Sequence, residues 1–156
     1  MITSQKGEDF IKSFEKCSLR PYTDAIGVPT IGWGNTFYED GTKVRMGDIN
    51  ISQPRADRLF YATRTKFENG VNKILVNKSL SQHQYDAIIS FAYNCGLGNL
   101  KGSTLLKKVN LNEDDLTIPG EFRKWVNSGG KPLNGLIDRR NKEADIYSKG
   151  IYVNHN

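Results

Sequence analysis

The chain of 156 residues has only two cysteines and two histidines, and this scarcity narrows its chemistry. Cys17 and Cys95 lie far apart with no CxxC spacing, too few for a disulfide framework. They read as free thiols acting as small apolar fillers. His83 and His155, the latter in an end segment expected to fray, are too few for a histidine metal centre. Neither supports Ser/His or Cys/His nucleophilic catalysis. No apolar run approaches the ~20 residues of a membrane span, and Met1-Ile2-Thr3-Ser4-Gln5-Lys6 has no apolar secretory segment. These absences predict synthesis in a cytoplasm, no signal peptide and no stable membrane insertion. Charge is also modest: Lys plus Arg exceed Asp plus Glu by 22 to 17, a net +5. That suits a polyanionic surface, but it lacks the clustering that nucleic-acid binding needs. Acid–base chemistry is left to carboxylates.

What is present is core material, with seven Phe, seven Tyr and two Trp in a chain that is 37% hydrophobic. A chain of this length buries roughly 68–70% of its unfolded surface and folds without staples. Phe10, Ile11 and Phe14 recur at helical spacing in Gly7 to Lys16. From Tyr22 to Asn35, Gly27, Gly32 and Gly34 alternate with Val28, Ile31 and Trp33, the mark of a strand with close backbone approach. Asp40-Gly41 between Phe37-Tyr38 and Lys43-Val44 is a hairpin signal, so residues 22–50 are expected to form a small antiparallel sheet. Ser52 and Pro54 open a long helix striped by Leu59, Phe60, Phe67, Val71 and Ile74. Ser81 and Gln84 form a capping box ahead of Tyr85, Ile88, Ile89 and Ala92, with Gly96 and Gly98 as stops. Short helices are expected from Ser103 and around Phe122 to Val126, the latter ended by Gly129-Gly130, and a final helix from about Gly135 to Lys149. The fold class is α+β, mostly helical. The chain is expected to be one domain over 1–156, with a β-containing lobe over about 16–60 and a helical lobe from 1–15 plus 76–156, joined by the long helix.

The chemistry concentrates in Glu15 to Thr36. Glu15 ends the first helix beside apolar Phe14, Asp24 lies nine residues on in a polar loop, and Thr30 starts the Gly-rich strand. Two carboxylates in unlike surroundings divide into an acid and a base. A helix end and the turn after it can face each other across a groove, which would suit protonation of a glycosidic oxygen by one and activation of water by the other. A threonine hydroxyl both donates and accepts, and so can hold that water. Spacing alone leaves solvated or turn-capping roles open for both carboxylates.

The arrangement Glu15–x8–Asp24–x5–Thr30, read with Arg20-Pro21-Tyr22-Thr23-Asp24 and Thr30-Ile31-Gly32-Trp33-Gly34-Asn35-Thr36, resembles the phage-type lysozyme or endolysin family, glycoside hydrolase family 24. Three further blocks keep its order: Leu80 to Ala87 with Ser90 to Gly96, then Ser103-Thr104-Leu105-Leu106, then Gly135-Leu136-Ile137-Asp138-Arg139-Arg140. The resemblance covers residues 8–150 and is closer to the broad phage and prophage branch.

It implies hydrolysis of the β-1,4 bond between N-acetylmuramic acid and N-acetylglucosamine in peptidoglycan, with inversion. Glu15 would be the general acid, with Asp24 and Thr30 positioning the attacking water. It places Thr36, Tyr93 and Thr104 against substrate and makes Arg139 or Arg140 a candidate partner for Glu15. Trp33 and Trp125 are read as core. The resemblance implies no metal and no cofactor. It also implies a monomer that works on glycan strands at the wall after release by a separate holin. Asn35 departs from the pattern, standing where the family commonly has histidine.

Overall fold

A computed structural model describes residues 1–156. The chain runs α1 (Gln5–Glu15), β1 (Ser18–Thr23), β2 (Pro29–Gly32), α2 (Gln53–Ile74), α3 (Gln82–Cys95), α4 (Leu97–Lys101), α5 (Thr104–Leu111), α6 (Ile118–Arg123), β3 (Asn127–Ser128), β4 (Lys131–Pro132) and α7 (Asn134–Lys149). The fold is mostly helical with small antiparallel sheets, as the periodicity indicates.

Helix starts follow local chemistry. Ser4, Ser52, Ser81 and Ser103 sit in extended backbone, and each side chain accepts the backbone N–H three residues on. At α3 the box is reciprocal, since Gln84 accepts from the Ser81 N–H at 3.0 Å. Buried residues run without break from Gln84 to Tyr93, so α3 is the hub of the helical lobe. Around it lies a core of 22 buried residues including Phe10, Ile11, Phe60, Val71, Phe91, Phe122 and Tyr147.

A second, five-residue core under the sheet comprises Ile31, Val44, Ile51, Ala56 and Leu59. Helix α2 joins the two. Ala56 and Leu59 of its first half enter the small core, while Phe60 and Val71 enter the large one.

The β lobe differs from expectation in extent. Strand β1 starts at Ser18 and pairs with β2 through Tyr22–Thr30 and Thr23–Pro29, with an irregular register between Ser18 and Tyr22. Pro21 lies in that interval and has no N–H to donate. The Asp40-Gly41 turn forms, with Asp40 Oδ1 accepting from the Thr42 N–H at 2.9 Å, but it joins a single bridge, Phe37–Lys43, and not paired strands.

Two expectations in the helical lobe are corrected. Gly96, at φ 90°, caps the end of α3 as expected, but Gly98 is no stop, since it lies inside α4. The segment before Gly129-Gly130 is not a helix, because α6 stops at Arg123. The two glycines, both at positive φ, turn the β3–β4 hairpin. Positive φ at both central positions is the demand of a type I′ turn, which couples strands and not a helix end. The segment after α7 is not frayed either. Tyr152 Oη donates to Asp86, and the His155 N–H donates to Ser13 Oγ at 2.9 Å.

Where α1 passes into β1, Lys16 adopts φ 54°, ψ 153° while its N–H still donates to Lys12 O at 2.9 Å. A Cβ is strained in that region, which essentially only glycine visits. Replacing Lys16 by Gly should therefore raise stability by about 1 kcal/mol. That is the strain relieved less the larger entropy a glycine loses on folding. Scanning calorimetry checks this, and an unchanged or lower melting temperature would contradict it.

Candidate active site

A groove of about 590 Å³ lies between the β1–β2 hairpin and the helical lobe. Glu15, Asp24, Thr30 and Thr36 all line it. Each arrives by a different route. Glu15 is the last residue of α1, pushed outward where the helix ends. Asp24 opens the β1–β2 turn and organises it, its Oδ1 accepting from the N–H of Ile26 at 3.0 Å and of Val28 at 2.8 Å. Thr30 is 3% exposed, and its Oγ1 donates to Val28 O at 2.9 Å. With its one proton so committed, the Thr30 hydroxyl offers only lone pairs to a third group.

Glu15 is gripped from two sides. Arg139 Nη1 donates to its Oε2, and Gly34, at φ 79°, lies so close that a methyl group there would overlap Oε1. Arg139 is 3% exposed and extends the grip inward. Its Nε donates to Glu143 Oε2 at 3.3 Å, and its Nη2 donates to the Ser90 carbonyl at 3.3 Å. Burial alone would weaken Arg139's hold on its proton, but the Glu15 and Glu143 carboxylates outweigh it and hold the guanidinium more firmly protonated than usual.

Arg140 is fully buried and does not reach Glu15. It donates to Asn94 Oδ1 and, at 2.9 Å, to Cys95 Sγ. Its Nε lies 3.1 Å from Glu143 Oε1, within ion-pairing range but off hydrogen-bond geometry, so both atoms lack a hydrogen bond. The arginine doublet is thus buried, where a terminal-helix doublet is ordinarily solvated. Of the two candidates for the acid's partner, the geometry brings only Arg139 to Glu15.

Two residues expected at substrate do not line this groove. Tyr93 is not part of the groove lining. It packs between Phe60 and Phe67, with ring centroids 5.6 and 5.5 Å away, and its hydroxyl donates to Trp33 O at 2.7 Å. Burial raises its phenol well above the ordinary value. Thr104 is the exposed first residue of α5 and is not among the lining residues. Trp33 is core-facing as expected, with its Nε1 donating to Asp57 at 2.9 Å. Trp125, read as core, has a double role: it meets Phe91 edge-on at 5.5 Å and also lines the groove.

Sequence reasoning missed Tyr22, Asn94, Asn99 and Asn127, which complete the walls. Tyr22 is the cross-strand partner of Thr30, a pairing that strand alternation back from Asp24 could have found. Its phenol is raised, first by burial and then by the negative charges of Glu15 and Asp24. The asparagines carry no local signal. Asn35 is 3% exposed and ties the segment after β2 to α2 by donating to Thr63 Oγ1 at 2.8 Å. Cys95 lines the groove with its thiol raised by burial, an effect that Arg140 only partly offsets.

Helix α2 thus joins two hydrophobic cores, and the only charged groups lining the groove are two carboxylates. Comparison with known proteins makes the assignment specific. The phage lysozyme family model matches residues 12–143, and the chain belongs to that family.

It is 39% identical to the endolysin of Bacillus phage B103, over 96% of this chain and 55% of that protein. It is 32% identical to the endolysin of Salmonella phage P22, over 94% and 98% of the two chains. The chain thus spans about 55–58% of the length of the two Bacillus phage endolysins it matches. Among solved structures, the endolysin from Escherichia coli O157:H7 phage FAHEc1 superposes with a TM-score of 0.86 at 35% identity, covering 98% of this chain and 97% of that one.

Substituting Gly34 by Ala should displace Glu15 and strain the backbone at once, since φ 79° disfavours any side chain. The expected result is a stability loss of about 1–3 kcal/mol together with a lowered turnover. Urea unfolding and wall-clearing assays on the same variant check it; retention of both would contradict the close approach.

Proposed function

We propose that the chain is a muramidase that hydrolyses the β-1,4 bond between N-acetylmuramic acid and N-acetylglucosamine in peptidoglycan, by direct displacement with inversion. The observation that carries the reading is the groove itself, where a helix-end glutamate meets a turn aspartate and a threonine whose hydroxyl proton is already spent. Glu15 protonates the glycosidic oxygen as the bond breaks. The attacking water donates one proton toward Asp24 and the other toward the lone pairs of Thr30 Oγ1, which leaves its own lone pair aimed at the anomeric carbon. Asp24 then takes up the proton. Oδ1 is committed to the turn, so the work falls to the other oxygen.

Arg139 donates to Glu15 Oε2 and so holds the carboxyl in its place in the groove wall. Glu143 and the Ser90 carbonyl remain to hold Arg139 in place while Glu15 gives up its proton.

Further expectations rest on this reading. The chain acts as a monomer on the glycan strands of the wall, and a pore-forming holin gives it access. Its +5 charge speeds encounter with the anionic wall at low salt. Residues near 16–60 move as one lobe against the rest, closing over substrate.

The test is digestion of purified peptidoglycan with mass and anomeric analysis of the fragments. Reducing muramic ends of inverted configuration are expected. Glu15→Gln should lower turnover by about 10³-fold and Asp24→Asn and Thr30→Val by about 10²-fold or more. Anhydro-muramic ends, with Asp24→Asn still active, would replace hydrolysis by internal transglycosylation. Undiminished activity of Glu15→Gln would remove the assigned acid.

A further inference from the structure

The segment that follows α7 returns to the active site from behind. Its His155 touches both halves of the Glu15–Arg139 pair at one residue's remove. The His155 backbone N–H donates to Ser13 Oγ at 2.9 Å, and its ring stacks on Phe14 with centroids 4.6 Å apart and planes 26° apart. Its Nδ1 lies 3.1 Å from Asp138 Oδ2. Phe14 immediately precedes Glu15, and Asp138 immediately precedes Arg139.

We propose that His155 is a positioning residue for the catalytic acid: it clasps the last turn of α1 to the first turns of α7, and so sets the distance between the backbones that carry Glu15 and Arg139. The inference rests on the reading of Glu15 as that acid.

The clasp is built from both sides. Arg139 and Lys142 place their charges 5.3 and 5.6 Å from the Phe14 ring centroid, so Phe14 is gripped by cations of α7 as well as by the imidazole. Lys142 also reaches Asp138 Oδ2 at 3.2 Å, holding the acceptor that His155 uses. Burial alone would raise the Asp138 carboxyl, but its bonds to His155 and Lys142 outweigh that and hold it below the ordinary carboxylate range. Asp138 is therefore an ionised acceptor at neutral pH, and Nδ1 must be the donor. A second anchor on the same segment, Tyr152 Oη to Asp86 of α3, brings His155 back across α1.

None of these contacts belongs to the groove lining, so their effect on catalysis can only pass through Glu15 and Arg139. The grip matters because a general acid misplaced by a fraction of an ångström loses rate without losing substrate affinity.

The experiment uses the full chain and soluble glycan strands, at a temperature where circular dichroism shows every variant folded. His155→Ala is expected to lower kcat by about tenfold with KM changed less than about twofold. His155→Gln, which keeps a donor for Asp138, is expected to recover part of that loss. Asp138→Ala should lower kcat similarly, and the double variant should lose little more than either single one, because the two residues act through one tie.

A His155→Ala variant with reduced melting temperature but unchanged kcat would overturn the proposal and leave the segment as a structural strap only. Fully additive losses in the double variant would also overturn it. The underlying reading fails by a separate result, activity retained in Glu15→Gln; an active parent enzyme silenced by Glu15→Gln but indifferent to His155→Ala rejects the clasp alone.

Discussion

Arg139 is a buried guanidinium suspended between two carboxylates, one facing the groove and one in the core. A charge in such surroundings is tolerable only when paired and hydrogen-bonded. Glu143 meets that requirement from within, one helical turn along α7, with Ser90 of α3 adding an acceptor and Arg140 a second cation. The remaining arm of Arg139 is thereby free to hold Glu15 from another element. Helices α1, α3 and α7 are locked together at this point, and the lock also fixes the direction of the Glu15 carboxylate.

The opposite wall follows another logic. Asp24 and Thr30 are placed by backbone geometry, and no buried ion pair is involved. A turn closed by an aspartate side chain leads to a cross-strand pair, and a hydroxyl is pinned to a carbonyl of the same hairpin. This half is light: its core has five residues and its sheet two strands. Helix α2 supplies the rigidity, with Asn35 and Trp33 bonded to its side chains. The larger core thus carries Glu15 and the smaller one the Asp24–Thr30 hairpin, with one 22-residue helix joining the two.

Much of this was legible in the chain. Serine caps and apolar stripes gave the helices, because those signals act within three or four residues. The triplet of Glu15, Asp24 and Thr30 stood out through the resemblance of its motif blocks, its members falling within sixteen positions on a helix end, a turn and a strand. The packing of Tyr93 was not legible, because an aromatic beside a motif looks the same whether it turns to a groove or to Phe60 and Phe67. The Gly129-Gly130 hairpin was misread because glycine ends helices and turns hairpins alike, and only the φ values separate the two.

Local patterning, then, determined the element types and the helical character, since each depends on neighbours close along the chain, while the resemblance of the motif blocks singled out Glu15, Asp24 and Thr30. The tertiary structure alone decided which arginine meets Glu15, since Arg139 and Arg140 differ by one step on a helix and therefore point about 100° apart. It alone brought Glu15 to a partner 124 positions away and folded His155 back onto Phe14. Such pairings are settled by burial, because a charge or ring removed from water takes the partner that packing offers, whatever its distance in sequence.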